Sequence, residues 1–494
     1  MSDSRGHTGF DVDSNKPRAL QVSPAAPAAE PSGQPPGPGG PEAPFGRSDE
    51  MTALLAKYPD TAHVDALFFD LCSLVRGKRY PVLDADKLFE DGMLIPYSAW
   101  LLDATGDCSD PGGRGYSDGD PDGVVRPVAG TLAPVPWSPV PSAQVMCSLD
   151  EDLDGPVVDP RNVLRRVERQ MNRAGMFPVV ALELEFYLID QAERSPDGSP
   201  LPPLNPDTKQ RDKSNQVYGM TELDDYAEFL RDVESACVAQ SVPAYTATSE
   251  NAPGQFEINL KHTDSAVRAA DHAALLANIV ERVANMHGFK ATFMAKPYVD
   301  MAGNGLHIHL SVLDADGNNI FDDGTPQGSP SLRWAIGGLM EAMPESMALF
   351  APNVNAYRRY APNNYVPVKR AWGVNNRSVA FRIPGGPGTA RRLEHRVCGA
   401  SANPYLALAA VLAGACWGME NKLDPGPAVT GNACEQMDPG VPWTFRAALA
   451  RLEKAHILPN YLGADYLHLY SETKWAELEK FQAVISPHEY LWYL

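Results

Sequence analysis

The sequence predicts a chain of mixed α and β structure, and three observations carry that expectation. Helix and strand signals alternate from about residue 150 onward. Four apolar, strand-like runs carry ionisable residues at every second position, the period of a pleated strand. Ahead of them lies a stretch rich in Pro, Ala and Gly with too few large apolar side chains to offset its ordering entropy.

That stretch, residues 1–46, comes first and holds eight prolines between Pro24 and Pro44, so it is expected to be a disordered tail, partly polyproline-like. Residues 47–150 are expected to form a compact unit. A short helix over 50–57 leads into the apolar run Val64–Leu71, read as a strand. The following Arg76-Gly77-Lys78-Arg79 reads as a tight basic turn, and Gly, Asp and Pro between Asp103 and Asp122 spell long loops. Residues 151–494 form the larger unit. Asp159-Pro160 is an N-cap followed by a proline at the first helical position, with Val163, Leu164, Val167 and Met171 as buried stripe and Gly175 as terminator. Residues 178–190 read as a strand. Asn403-Pro404 repeats the capping device ahead of an Ala/Leu-rich helix expected to be fully buried.

Composition removes several classes of function. Of 494 residues, 42 are Lys or Arg and 62 are Asp or Glu, a net charge of −20, and no basic stripe replaces phosphate counterions. Nucleic acid and anionic membrane are therefore not expected partners. Seven cysteines without a CxxC pair suggest reduced thiols and a cytoplasmic location. The N-terminus lacks an apolar signal core, and the longest apolar stretch, 405–419, is shorter than the ~18 residues of a membrane span.

The chemistry lies on the strands. In Leu182-Glu183-Leu184-Glu185-Phe186 both carboxylates share one face; Gln255–Leu260 places Glu257, Leu306–Val312 places His307, His309 and Ser311, and Arg392–Val397 places Arg392, Glu394 and Arg396 in the same manner. A sheet with one face in water would alternate too, but solvated faces favour Thr, Lys and Ser. Neighbouring carboxylates repel unless cations sit between them. Glutamate oxygens with one or two imidazoles suit Mg²⁺ or Mn²⁺ better than zinc. Arginines on the same surface suit a polyphosphate and a carboxylate. Glu250 adds a carboxylate just before the Glu257 strand, and the Met301–Gly305 loop leads into the histidine strand. Arg377 and Arg382 are five residues apart and cannot share one regular strand face, which puts Arg377 at a loop edge.

Glu183-x-Glu185, Glu250-x6-Glu257, Gly303–His309, Asn376-Arg377-Ser378 to Arg382-Ile383-Pro384, and Arg392–Arg396 followed by Asn403-Pro404-Tyr405 together resemble the glutamine synthetase family. The likeness runs from about residue 50 to the C-terminus, and stretches such as Pro253–Leu260 and Ala291–Pro297 look most like its γ-glutamylputrescine synthetase branch. The resemblance implies an α+β fold: a small N-terminal β-grasp domain, and a large catalytic domain whose antiparallel sheet lines a funnel-shaped site. It implies ATP as co-substrate, two Mg²⁺ or Mn²⁺ per site, L-glutamate and a primary amine as substrates, and a homo-oligomer, a dodecamer of two hexameric rings with sites shared between subunits. Carried over residue by residue, Glu185, Glu250 and Glu257 would hold one metal and Glu183, His307 and Glu394 the other. His309, Ser311, Arg377, Arg382 and Arg392 would contact ATP, and Gly303, Arg359 and Arg396 would grip glutamate. Arg377 with Glu257 and Glu394 would carry the catalysis.

Departures from the family pattern bear on the acceptor. The aspartate of ammonia-using members falls on Ile95 or Pro96, their flap glutamate on Tyr365 or its neighbour, and an asparagine before Gly303 is Ala302. Losing two anionic groups removes the attraction for ammonium, and Ile95, Tyr97 and Tyr365 instead suit an alkyl chain and a cationic amine. Ligation of glutamate to putrescine or another polyamine, through γ-glutamyl phosphate, is the favoured activity, with a place in polyamine catabolism. Ammonia-dependent glutamine synthesis and an inactive relative remain the alternatives. The base for the amine stays open among Asp103, Asp118 and Asp120.

Overall fold

The computed structural model describes residues 49–196, 198–214 and 216–494, so the expected tail at 1–46 lies outside the described residues. After a helix over Asp49–Lys57, the first six strands are β1 (His63–Phe69), β2 (Val75–Pro81), β3 (Met93–Pro96), β4 (Asp122–Pro127), β5 (Ala133–Pro134) and β6 (Ser142–Leu149). They form one sheet in the order β2-β1-β6-β4-β3, with β5 also on β6. β1 runs parallel to β6 and antiparallel to β2. Every residue of β6 is buried, as befits a central strand covered on both faces.

The basic segment Arg76–Arg79 is strand, not turn. The reversal comes earlier, where the Asp70 carboxylate accepts from the backbone N–H of Cys72 and of Leu74, each at 2.9 Å, and Ser73 adopts φ 62°. Gly77 pairs with Leu67, and a Cβ there would lie 1.9 Å from the Ala66 carbonyl oxygen. The glycine marks close strand approach rather than a bend.

Eight further strands build the second sheet: β7 (Phe177–Asp190), β8 (Ala244–Ser249), β9 (Gln255–Leu260), β10 (Phe289–Thr292), β11 (Leu306–Leu313), β12 (Trp372–Val374), β13 (Phe381–Ile383) and β14 (Leu393–His395). Their order is β12-β13-β14-β11-β7-β9-β8, with β10 on β7. Every pairing is antiparallel except β12 with β13. The mixed fold, with a small sheet and a large curled antiparallel one, is the expected α+β architecture.

Helices cover the apolar face. The helix Pro160–Arg173 buries Val163, Leu164, Val167 and Met171, and its Asp159 cap accepts from the Arg161 N–H. Helix Pro404–Asn421 is buried along nearly its whole length. Its cap Asn403 serves two roles: the side-chain oxygen accepts from Tyr405 and Leu406 N–H, while the amide nitrogen donates to the Asp70 carbonyl at 3.0 Å. The penultimate helix, Ala464–Ala483, clamps the loop after β3: Lys480 Nζ lies 2.5 Å from Asp103 Oδ2 and 2.9 Å from Asp107 Oδ2. Among the described residues no helix is long and apolar enough to cross a membrane.

Candidate active site

Strand register assembles the polar face. On β7, Leu182, Leu184 and Phe186 point into the core, which turns Glu183 and Glu185 to the opposite side. Glu183 pairs with His307 on β11, Glu185 with Glu257 on β9, His309 with Glu394 on β14, and Glu394 with Arg382 on β13. One sheet face thus carries a continuous row of carboxylate, imidazole and guanidinium from five strands.

Contacts within the row are short. Glu183 lies 3.1 Å from His307 Nδ1 through Oε2 and 2.9 Å from His309 Nε2 through Oε1. His307 is 3.9 Å from both Glu185 Oε1 and Glu257 Oε2. Arg382 and Arg396 each reach Glu394 at 2.5 Å. Arg382 therefore shares the face of Glu394, which the sequence left undecided, and Arg377 stands in the turn between β12 and β13, as its spacing implied. Arg392 Nε donates to His309 Nδ1 at 3.1 Å. Because a guanidinium can only donate, that imidazole keeps its proton on Nε2, facing Glu183.

The electrostatics are strained in one half and satisfied in the other. Burial, then the charges of Glu183 and Glu185, push Glu257 up to about 9. Burial and Glu185 likewise raise Glu250 to about 7, with Arg377 and Arg396 opposing. Glu394 is the reverse case: against its burial, Arg396 and then His309 and His307 hold it down to about 2. His307 and His309 also hold Glu183 well below the carboxylate range despite burial.

The Met301–Gly305 loop, a weak signal in sequence, turns out to be built for close approach. The Gly305 N–H donates to Glu185 Oε2 at 2.7 Å. A Cβ on Gly305 would sit 2.8 Å from Arg359 Nη2, 3.2 Å from His307 Nε2 and 3.3 Å from Glu185 Oε1. A Cβ on Gly303 would meet Arg359 Cγ at 2.9 Å. Sequence reasoning missed the residues that hold this loop. Gln255 Nε2 donates to the Gly303 carbonyl at 3.1 Å and to Asn304 Oδ1 at 3.0 Å, and the Tyr187 hydroxyl donates to the Ala302 carbonyl at 2.8 Å. Amides placed next to a ligand-bearing strand were the available signal.

Other expected residues are spread more widely. The Ser311 hydroxyl donates to the Arg391 carbonyl at 3.0 Å. Arg359 is buried and donates through Nη1 to the Val397 carbonyl. The Nε groups of Arg359, Arg382 and Arg396 are buried without a partner, an arrangement suited to anionic substrate groups. Tyr365 is exposed and lines a cavity of about 720 Å³ with Arg377, Asn363, Asn376 and Thr430. Ile95 and Tyr97 belong to the N-terminal unit instead: Ile95 is in the core of the small sheet opposite Gly123, and Tyr97, in the 3-10 turn that follows β3, stacks under Arg114. Of the three loop aspartates, Asp103 is locked by Lys480 and by the Thr105 and Asp107 N–H groups and lowered to about 2 against its burial, which makes it a weaker base than an ordinary carboxylate. Asp118 accepts from the Gly115 and Asp120 N–H, and Asp120 from the Ser98 hydroxyl at 2.8 Å.

The donor set fits a hard divalent cation. Glu183, Glu257 and His307 bring ligand atoms within 4.8 Å of one another, as do Glu183, His309 and Glu394. Carboxylate oxygens dominate both groups, and the raised Glu257 marks negative charge that a cation would relieve. In the second group His309 presents an N–H rather than a lone pair toward Glu183.

Residues 157–493 match the pattern described as "Glutamine synthetase, catalytic domain". The chain belongs to the glutamine synthetase family. Gamma-glutamylputrescine synthetase PuuA of Escherichia coli (strain K12) is 42% identical over 450 residues, 90% of this chain and 94% of the relative. Glutamate–isopropylamine ligase of a Pseudomonas species is 31% identical over 396 residues, 77% of this chain and 83% of that one. Among solved structures, a GmaS/ADP complex superposes with a TM-score of 0.74 at 28% identity, covering 88% of this chain and 97% of that chain. The two relatives named for glutamate–amine ligation thus match 90% and 77% of this chain.

Proposed function

We propose that this protein is an acid–amine ligase that joins the γ-carboxylate of L-glutamate to a primary amine at the expense of ATP, with putrescine or another polyamine as favoured acceptor. The observation that carries the phosphoryl chemistry is the single face bearing Glu183, Glu185, Glu257, His307 and Glu394 beside arginines with unpartnered buried N–H groups. Similarity to PuuA across 90% of the chain supports the amine, as does the reading that Tyr365 or its neighbour replaces the flap carboxylate that takes a proton from ammonium.

In this reading Glu185, Glu250 and Glu257 hold one divalent cation and Glu183, His307 and Glu394 a second, Mg²⁺ or Mn²⁺. Bound there, the cations supply neutralisation of charge on the phosphoryl oxygens. The side chains do the rest. Arg359 and Arg396 orient glutamate beside Gly303, whose missing side chain leaves room for the Arg359 stem. His309, Ser311, Arg382 and Arg392 seat the nucleotide, and Arg377, at the loop edge, compensates charge on the transferring group. The γ-carboxylate attacks the terminal phosphate, ADP leaves, and γ-glutamyl phosphate forms. The amine nitrogen then attacks the acyl carbon and phosphate departs. Alkylamines have pKa values of about 10, so the pocket around Tyr365 has to favour the neutral form by excluding water.

Tyr97, in the turn after β3, and Tyr365, in the loop before β12, belong to separate parts of one chain, which supports a pocket closed by a neighbouring subunit, in a dodecamer of two hexameric rings. The domain boundaries proposed with this assembly are 47–150 and 151–494, and the cytoplasm is its proposed location. A phosphate-release assay with ATP, glutamate, Mg²⁺ and a panel of amines tests the function. Putrescine should exceed ammonium; the opposite ranking would make the protein an ammonia-dependent glutamine synthetase.

A further inference from the structure

Far from the carboxylate row, a thiol and a buried amine face each other. Cys72 is half-buried in the turn between β1 and β2, and Lys474, on helix Ala464–Ala483, is 2% exposed. Lys474 Nζ lies 3.2 Å from Cys72 Sγ and 2.8 Å from Glu477 Oε2. The other neighbours of the sulfur are the Leu102 carbonyl at 3.6 Å and Glu477 Oε2 at 3.9 Å. A buried ammonium needs a counter-charge, which Glu477 gives, and one of its remaining N–H bonds is spent on the sulfur. Stability alone does not call for a thiol there, since any acceptor oxygen would serve that N–H better than a weakly accepting sulfur.

We propose that Cys72 and Lys474 form a peroxide-driven crosslinking site, in which a sulfur–nitrogen bond ties the β1–β2 turn to the helix Ala464–Ala483. Hydrogen peroxide is the oxidant. In the first step its oxygen transfers to Sγ: the S–O bond forms, the O–O bond breaks, and water leaves, so that sulfur is oxidised by two electrons to the sulfenic acid and peroxide is reduced. In the second step Lys474 passes a proton to Glu477 and its Nζ lone pair attacks sulfur. The S–N bond forms, the S–O bond breaks, and the departing hydroxide leaves as water with a proton from nitrogen. The sum is one peroxide consumed, two waters formed and two hydrogens lost from the protein. An amine held 3.2 Å from the sulfur intercepts the sulfenic acid at high effective concentration, ahead of a second peroxide. Burial pushes the thiol up to about 11, with Lys474 opposing, so the oxidation accelerates toward alkaline pH.

The test is peptide mapping of the full-length protein, without reductant, after peroxide treatment. The expected result is a joined pair of peptides carrying residues 72 and 474, lighter than their sum by two hydrogens and separated again by dithiothreitol. Cys72→Ser and Lys474→Arg should each abolish it, and Cys72→Ser should release phosphate like the unoxidised parent. Should Lys474→Arg fail to fold, the Cys72→Ser comparison decides alone. Cys72 found as thiol or as sulfinic acid, with Lys474 unmodified, would overturn the proposal.

Discussion

Arg392 Nε donates to His309 Nδ1 at 3.1 Å, and His309 in turn presents Nε2 to Glu183 at 2.9 Å. The guanidinium thereby fixes which nitrogen of the His309 imidazole carries the proton. Replacing Arg392 with Met should let the ring flip and lower phosphate release about ten- to a hundredfold with every amine, in keeping with a charged hydrogen bond of about 1.5–3 kcal/mol. Nitrogen chemical shifts of His309 provide the independent check.

Glu257 crowds against Glu183 and Glu185 and is raised to about 9 by burial and their charge. In metal-free protein, Glu257→Gln should therefore raise the melting temperature. In Mg²⁺ the order should reverse, because a cation at a hundred times its Kd stabilises the parent by about 2.7 kcal/mol and the variant by much less. Glu257→Ala should abolish phosphate release with all amines. Melting curves with and without chelator read the first effect, and the phosphate assay the second.

Gly305→Ala would set a methyl group 2.8 Å from Arg359 Nη2 and 3.2 Å from His307 Nε2. Overpacking of this kind costs about 1–3 kcal/mol. The loss should fall on glutamate use, as a KM raised about tenfold or more, with far-UV circular dichroism unchanged.

Asp103 accepts N–H groups from Thr105 and Asp107 and pairs with Lys480, which together outweigh its burial and lower it to about 2 from 3.8. Such an acid binds fewer protons folded than unfolded. Its contribution is complete above pH ~4 and is lost as the pH falls toward ~2. Allowing for screening at the half-exposed Lys480, Asp103→Asn should cost about 1–2 kcal/mol at pH 7 and little at pH 2. Urea titrations at both pH values measure it.

Tyr365 lines the cavity that also holds Arg377, and the family likeness puts the flap carboxylate of ammonia-using members at this residue or its neighbour. Tyr365→Glu should shift the ranking among amines toward ammonium while leaving the metal requirement intact. A ranking unaffected by the exchange would displace Tyr365 from the amine pocket.

The alternation on β7, β9 and β11 was legible in sequence because the period of a strand is two and the core rejects charge. Caps at Asp159 and Asn403 were legible for the same local reason. The Arg76–Arg79 segment misled because a glycine between basic residues reads as a bend, whereas its missing Cβ serves a neighbouring strand's carbonyl. Gln255, Tyr187 and Asn304 stayed hidden, since nothing in their local pattern tells which distant loop their hydrogen bonds secure.

By itself, then, the sequence determined which side chains leave the core on each strand, where helices begin, and the chemical kind of group on the exposed face. Only the tertiary structure decided who faces whom: Glu183 between two histidines, Arg382 and Arg396 on Glu394, Asn403 tying the buried helix Pro404–Asn421 to the turn after β1. Periodicity is a property of one strand, but proximity depends on the register between strands far apart in the chain, which is set by packing of the whole.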